Sequence, residues 1–359
     1  MTLPQLFPNA IPLVTLLIGA LLGWALSAAH NRRARSGAQA TAQPSAQDRI
    51  ETRVPQLVIF FAAILGVACF ASFLFLIDYA SRLLRPISIL GHVANDGLAV
   101  VENVYPEPSH GIDTATSQAR KLGPPARVVQ HDKKSDIVLA VNVALLAAEA
   151  ERTDGVIEFV PQVGDFVAIH EPLFKLFGGA SVLADETLRS AVAFGSERTM
   201  EQDPTFAFRI VVDIALKALS PAINDPTTAV LAIDQLQRLL RLAGSRHLRT
   251  DKIRDRSGRL RLIFRTPNWE DFVHLAFSEI RACGSNNLQI VRRLRAMIEN
   301  LVQTLPKHRH AALRQQQALL DRDIKDRFKY AEDVALAQVA DTQGLGGHSG
   351  KVKSVRSRN

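Results

Sequence analysis

The chain has 359 residues, 47% of them hydrophobic and 22% charged, with a formal net charge of +8. Such a composition excludes a disordered chain and a collagen-like repeat, and two cysteines, Cys69 and Cys283, cannot build a disulfide framework or a four-cysteine zinc site. The basic balance points to an anionic partner, either a lipid surface or a nucleic acid.

Residues 1–29 carry no charged side chain, and their strongest stretch is 11–29, IPLVTLLIGALLGWALSAA; residues 54–77, VPQLVIFFAAILGVACFASFLFLI, form a second uncharged run. Each is long enough to cross about 30 Å of hydrocarbon at roughly 1.5 Å per residue, and each is apolar on every helical face, unlike a core helix. The spacing therefore predicts two membrane spans; a signal peptide is the alternative for the first, although no Lys or Arg precedes it. Gly19, Gly23 and Ser27 give a small-xxx-small stripe that suits close helix pairing, so a homo-oligomer is expected. Neither run holds an ionisable group, which speaks against a self-contained transporter. Arg32, Arg33, Arg35, Arg49 and Arg53 in the connecting segment place that segment on the cytoplasmic side by the positive-inside rule.

Residues 78–105 read as a helix with a kink or restart at Pro86, and 106–125 as a Pro-, Gly-, Ser- and Thr-rich linker. Residues 126–178 read as a small β unit, with strands at 126–130, 137–141, 155–160, 166–169 and 172–177, a helix at 142–152, and a tight turn at Gly164. The hairpin resembles those of biotinyl and lipoyl carrier barrels, but Gly164 and Asp165 occupy the tip where such carriers need a lysine, and Lys175 lies in a later strand. A helix is expected over 185–198.

The next stretch, RTMEQDPTFAFRIVVDIALKALSPAINDPTTAVLAIDQLQRLLRLA, predicts two helices. Asp203 with Pro204, and Asp225 with Pro226, are N-cap and first-turn pairs. A basic hairpin follows: ten Lys or Arg lie between Arg238 and Arg265, Ser257 and Gly258 make its turn, and Arg259, Arg261 and Arg265 alternate with Leu260, Leu262 and Phe264. Helices over 269–304, with a break near 284–287, and over 307–337 close the fold, and 338–359 reads as a disordered tail. The fold class is thus α+β, mostly α, with two N-terminal transmembrane helices, a small β-barrel-like unit and a helical domain.

The RTMEQDP and ALSPAINDPTTA segments, with VPQVGDFVAIHEPLF upstream, resemble the bacterial predicted membrane proteins called domain of unknown function 2254, over roughly residues 54–337. The resemblance implies an inner-membrane, multi-pass protein with a soluble C-terminal region in the cytoplasm, opposite to the arginine count. Its members usually show four spans before that region; two are visible here. It implies no activity, because the family carries none.

The chain lacks a phosphate-binding G-x-x-x-x-G-K-[ST] loop, an H-E-x-x-H zinc motif and a G-x-S-x-G elbow. His308 and His310 sit in a basic helix start, where a solvated surface suits them better than a metal; no metal or cofactor is expected. Cys283 reads as a buried, inert thiol. One polar cluster is the candidate ligand site: Arg198, Asp203, Arg209, Asp213, Asn224 and Asp225. Arg209, Asp213 and Lys217 share a helix face, so an ion-pair ladder and two caps explain much of it. Arg198 falls outside both explanations, and its place before the Asp203 helix suggests a small anion or a protein carboxylate, Glu201 or Asp225, between it and the helix start. Arg249, Lys252, Arg254, Arg256, Arg259 and Arg261 are candidates for a lipid-facing surface; nucleic acid is not expected, since no aromatic residues interleave with them. The functional expectation is a non-enzymatic, self-associating scaffold, sensor or channel-like subunit with a soluble regulatory domain. The alternative is a membrane-bound enzyme using the carboxylates Asp203, Asp213 and Asp225.

Overall fold

Twenty-eight residues of nearly unbroken apolar sequence form α1 (Gln56–Leu83). The computed structural model describes residues 56–83, 86–109, 122–248 and 251–347. It divides into two compact units, Met1–Arg85 and Pro86–Asn359. In the first unit, Phe60–Tyr79 is long and apolar enough to cross a membrane. Phe60, Phe61, Leu65, Phe73 and Leu76 are all exposed along it, as a helix solvated by lipid rather than by protein requires. The predicted span at 11–29, its Gly19, Gly23 and Ser27 stripe and the arginine-rich connecting segment lie outside the described residues.

The two cysteines give a test of this arrangement. Cys283 is exposed, which corrects its reading as a buried thiol: it falls in the last turn of a helix, on the side turned away from the core. Cys69 lies within the apolar stretch of α1. A membrane-impermeant maleimide applied to opened vesicles is expected to label Cys283 and spare Cys69. Equal labelling of both would contradict a membrane location for α1.

The second unit is an α+β domain, mostly helical. Its helical layer combines α2 (Pro86–Val104), α5 (Pro204–Leu219), α6 (Pro226–Gly244), α7 (Trp269–Gly284), α8 (Leu288–Thr304) and α9 (His310–Arg327). Pro86 opens α2, in agreement with a restart there. Apolar residues recur at helical spacing along α5 and α6, and Phe208, Val211, Val212, Ala215, Ile233, Leu236 and Leu240 are all buried in one core. Asn268 and Asp271 form a reciprocal capping box at the start of α7. The break near 284–287 separates α7 from α8, and Asn287 caps the latter.

The β layer holds β1 (Arg127–Gln130), β2 (Asp136–Val141), α3 (Val143–Arg152), β3 (Gly155–Phe159), β4 (Phe166–Val167), β5 (Pro172–Gly178), α4 (Asp185–Ser190) and β6 (Val192–Gly195). The last pair corrects the helix expected over 185–198, which ends after six residues and gives way to a strand paired with β2. Two further strands, β7 (Lys252–Arg254) and β8 (Leu260–Ile263), come from the basic hairpin. They do not belong to the helical domain. β8 pairs parallel with β3, so one sheet runs β1-β5-β3-β8-β7 and a second runs β4-β2-β6. Neither strand order closes on itself, so the unit is a pair of sheets rather than a barrel.

The segment after α10 (Ala331–Ala337) is not a loose tail as far as residue 347. The buried Arg292 guanidinium donates to the carbonyls of Val339, Gly346 and Gly347, and buried Asp341 accepts from the N–H groups of Gln343, Gly344 and Gly346. An arginine that reads as surface charge thereby becomes the anchor of this segment.

Candidate functional site

The Asp-Pro pairs cap their helices as the sequence implies. Asp203 accepts from the N–H groups of Thr205 (3.0 Å) and Phe206 (3.2 Å), and Asp225 accepts from the N–H of Thr228 (3.1 Å). The two aspartates do not share a site. Asp203 precedes the first residue of α5, whereas the Asp225 N–H bonds the Ala218 carbonyl at the other end. A helix of 16 residues separates them by about 24 Å. Asn224 is exposed beside Asp225, with φ of 46° in the turn between the helices. Asp225 is therefore structural, and Asp225→Ala should cost about 1 kcal/mol in chemical denaturation. An unchanged midpoint would show that the cap carries no weight.

Arg209 and Asp213 also fall away from Asp203. Arg209 bonds Asp213 through Nε (2.8 Å) and reaches Glu279 on α7 through Nη1 (2.5 Å). This surface bridge between two helices contributes no more than about 1 kcal/mol per pair. It leaves Lys217 out of the ladder. Of the predicted cluster, only Arg198 stays close to Asp203. It is exposed and makes no ion pair within 4 Å among the described residues, but its charge helps lower the Asp203 pKa. Arg198 thus acts on Asp203 through its charge, and Asp225 lies at the far end of α5.

The hairpin cations also separate. Arg261 is buried, with Nε donating to Asp255 (2.8 Å) and Nη2 to Asp154 (2.8 Å). Arg261 is thereby corrected from a lipid-facing cation to an internal one. These bonds hold the carboxyls of Asp154 and Asp255 below their ordinary range; for Asp255 the Ser257 hydroxyl contributes most. Arg259 is exposed but bonds Asp154 (2.8 Å), and Arg256 is exposed near the hairpin tip. Lys252 and Arg254 turn up in the wall of a cavity. Arg249 lies outside the described residues.

That cavity, about 850 Å3, lies where the two layers meet. The end of α2 supplies Val104, Tyr105 and Glu107, the ends of β2 and β3 supply Val141 and Phe159, the start of α3 supplies Val143, and the turn before β4 supplies Gln162 and Val163. Glu201, Gln202, Asp203 and Pro204 come from the segment entering α5, and Lys252, Ile253, Arg254, Phe264 and Arg265 from the hairpin. The volume falls in the range of small-molecule pockets, and the lining is mostly apolar with a few polar groups.

The segment entering α5 ties the layers together at this point. Gln202 Oε1 accepts from the Val141 N–H at the end of β2 (3.0 Å). Asp203 Oδ2 lies so close to Gly164 that a Cβ there would sit 2.4 Å from it. Gly164 also has φ of 93°, so the glycine serves both the turn and the approach of the carboxylate. Burial raises the Asp203 carboxyl above its ordinary range, with the Thr205 hydroxyl and the helix N–H groups opposing the rise. Tyr105 is fully buried, and its hydroxyl has no hydrogen-bond partner among the described residues. Burial, together with the charges of Asp203 and Asp271, raises the pKa of that phenol. An orphaned buried hydroxyl costs stability, and here the ring packs against Phe272 with the oxygen sealed from solvent. Sequence reasoning found Asp203 through its cap signature but missed Tyr105, which reads only as the end of a periodic helix.

The raised carboxyl gives a pH prediction. An aspartate that is harder to ionise in the folded state contributes stability below its unfolded pKa, near 3.8, and loses it as pH rises through the folded value. Asp203→Asn keeps a capping oxygen without the charge. The stability of the variant relative to the parent should therefore rise between about pH 3.5 and 7 in thermal melts. A relative fall over that range would contradict the assignment.

Among the described residues no group of three His, Cys, Asp or Glu is placed to hold a metal ion. His310 bonds the Leu305 carbonyl and His308 the Ser109 hydroxyl, which leaves that pair as local structure.

A family described as predicted membrane protein, domain of unknown function 2254, matches residues 17–300. An uncharacterized protein of Mycobacterium bovis and one of Mycobacterium tuberculosis are each 29% identical over 296 residues, covering 79% of this chain and 55% of the relative. The chain thus spans about half the length of the curated relatives it matches. No solved structure matches it.

Proposed function

The chain belongs to the predicted membrane protein family of domain of unknown function 2254, and on that premise we propose that it is a membrane-anchored binding protein, a sensor rather than an enzyme. Its second unit takes a small molecule in the cavity where the helical and β layers meet. The observation that carries this reading is the cavity itself, about 850 Å3 and lined by apolar side chains from both layers together with Glu201, Gln202, Asp203, Lys252, Arg254 and Arg265. A binding site explains a cavity of this size and the stapling of both layers by Gln202 and Asp203 at its wall. The enzyme alternative asks for a cluster of reactive carboxylates, and Asp213 and Asp225 lie elsewhere in roles of their own.

The same reading extends to the membrane. Two spans, 11–29 and 54–77, anchor the protein in a bacterial inner membrane as a homo-oligomer; the family resemblance puts its second unit in the cytoplasm and the arginine count of the connecting segment puts it on the opposite side. Tyr105 directly follows α2, and only two residues of sequence separate α2 from α1. A ligand that engages Tyr105 therefore acts on the element joined most directly to the membrane helix.

A thermal-shift screen of small metabolites on the full-length protein in lipid nanodiscs tests the proposal. Compounds that stabilise the parent are expected to lose their effect in Val163→Trp and in Ile253→Trp, which fill the cavity from two elements. Stabilisation that survives both fillings would place binding elsewhere and overturn the reading.

A further inference from the structure

The charges around the cavity segregate by element. Glu107, Glu201 and Asp203 come from the end of α2 and the segment entering α5, whereas Lys252, Arg254 and Arg265 come from the hairpin. Val143, Phe159, Val163 and Phe264 provide apolar lining in addition. None of the three cations has an ion pair within 4 Å among the described residues; Arg254 spends one guanidinium N–H on the Gly258 carbonyl (2.9 Å). Glu107 and Glu201 are exposed and similarly lack an ion pair among the described residues. Glu107, Glu201, Arg254 and Arg265 are exposed and reach solvent, whereas Asp203 is buried and caps α5.

A cavity with an acidic side, a basic side and apolar walls is complementary to one kind of molecule. We propose that it takes an amphipathic zwitterion, with an ammonium group and a carboxylate separated by an apolar body. The ammonium lies against Glu201 and Asp203, and the carboxylate lies against Lys252, Arg254 and Arg265. A ligand carrying either charge alone leaves one set of groups uncompensated, and desolvating those groups without a partner opposes binding. An α-amino acid carries both charged groups on one carbon and lacks the apolar body between them.

This inference rests on the cavity being a binding site. Its test uses four probes on the full-length protein in nanodiscs of uncharged lipid: 8-aminooctanoate, octanoate, octylamine and leucine. By calorimetric titration, 8-aminooctanoate is expected to bind at least about tenfold more tightly than the other three, about 1.4 kcal/mol by the affinity relation. Asp203→Asn should remove its advantage over octanoate, and Lys252→Gln combined with Arg265→Gln should remove its advantage over octylamine. Asn keeps the helix cap and the two hairpin positions are not in the core, so a melting curve can verify that these variants fold. Equal binding of octanoate, octylamine or leucine overturns the zwitterion, as does failure of 8-aminooctanoate to bind. The broader reading falls separately, only if compounds from the metabolite screen bind the cavity-filled variants as well as the parent.

Discussion

Gly164→Ala is expected to destabilise the second unit by about 2–5 kcal/mol. A non-glycine residue held at positive φ costs roughly 1–2 kcal/mol, and forcing an added methyl into a packed contact costs about 1–3 kcal/mol more. The contact is specific: the new Cβ would lie 2.4 Å from Asp203 Oδ2, and Asp203 is held by the first N–H groups of α5. Gly258→Ala is the internal control. Its φ is 80°, but nothing lies within 4 Å of a Cβ there, so it should show the backbone cost alone. Thermal unfolding of both variants reads the difference. If they lose equal stability, Asp203 does not approach the turn as described, and the junction of the layers is looser than the cavity requires.

Trp269→Ala should be more damaging still, at about 3–5 kcal/mol. The side chain is 1% exposed and packs against Gly244, where an added Cβ would lie 3.0 Å from the ring. Its Nε1–H donates to the Arg309 carbonyl (2.8 Å), and the Arg309 guanidinium lies 5.7 Å from the ring centre. One residue therefore joins α7, the end of α6 and the turn before α9. Trp269→Phe keeps most of the volume but removes that N–H donor, and should lose roughly 0.5–1.5 kcal/mol. Calorimetry on the full-length protein ranks the two. A Phe variant as unstable as the Ala variant would mean that the hydrogen bond, not the packing, dominates.

Local signals explain what the sequence could reveal. Asp-Pro at helix starts, glycine at positive φ in the 162–165 turn and the apolar run of α1 each depend on a few neighbouring residues, and each is found where expected. The failures are long-range. Alternation along β8 places its arginines outward, but β8 lies inside a sheet between β3 and β7, so Arg261 faces the Asp154 and Asp255 carboxylates rather than water. β6 is four residues long and exists because β2 offers it an edge some fifty residues earlier in the chain. Arg292 looks like surface charge on an amphipathic helix until residues 339–347 fold over it. The cavity draws its walls from residue 103 to residue 267, so no window of sequence contains it. Asp203, Lys252 and Arg254 are legible as candidates, but the cap explanation hides the second role of Asp203 and the hairpin pattern assigns the two cations to a lipid surface.

The central claim is that this cavity holds a small molecule in the membrane-anchored protein. Native mass spectrometry of the full-length protein, extracted directly from membranes into lipid nanodiscs, tests it most directly. The account predicts a bound non-lipid species on the parent that is missing from Val163→Trp and from Ile253→Trp. Identical spectra for the parent and both filled variants would contradict it.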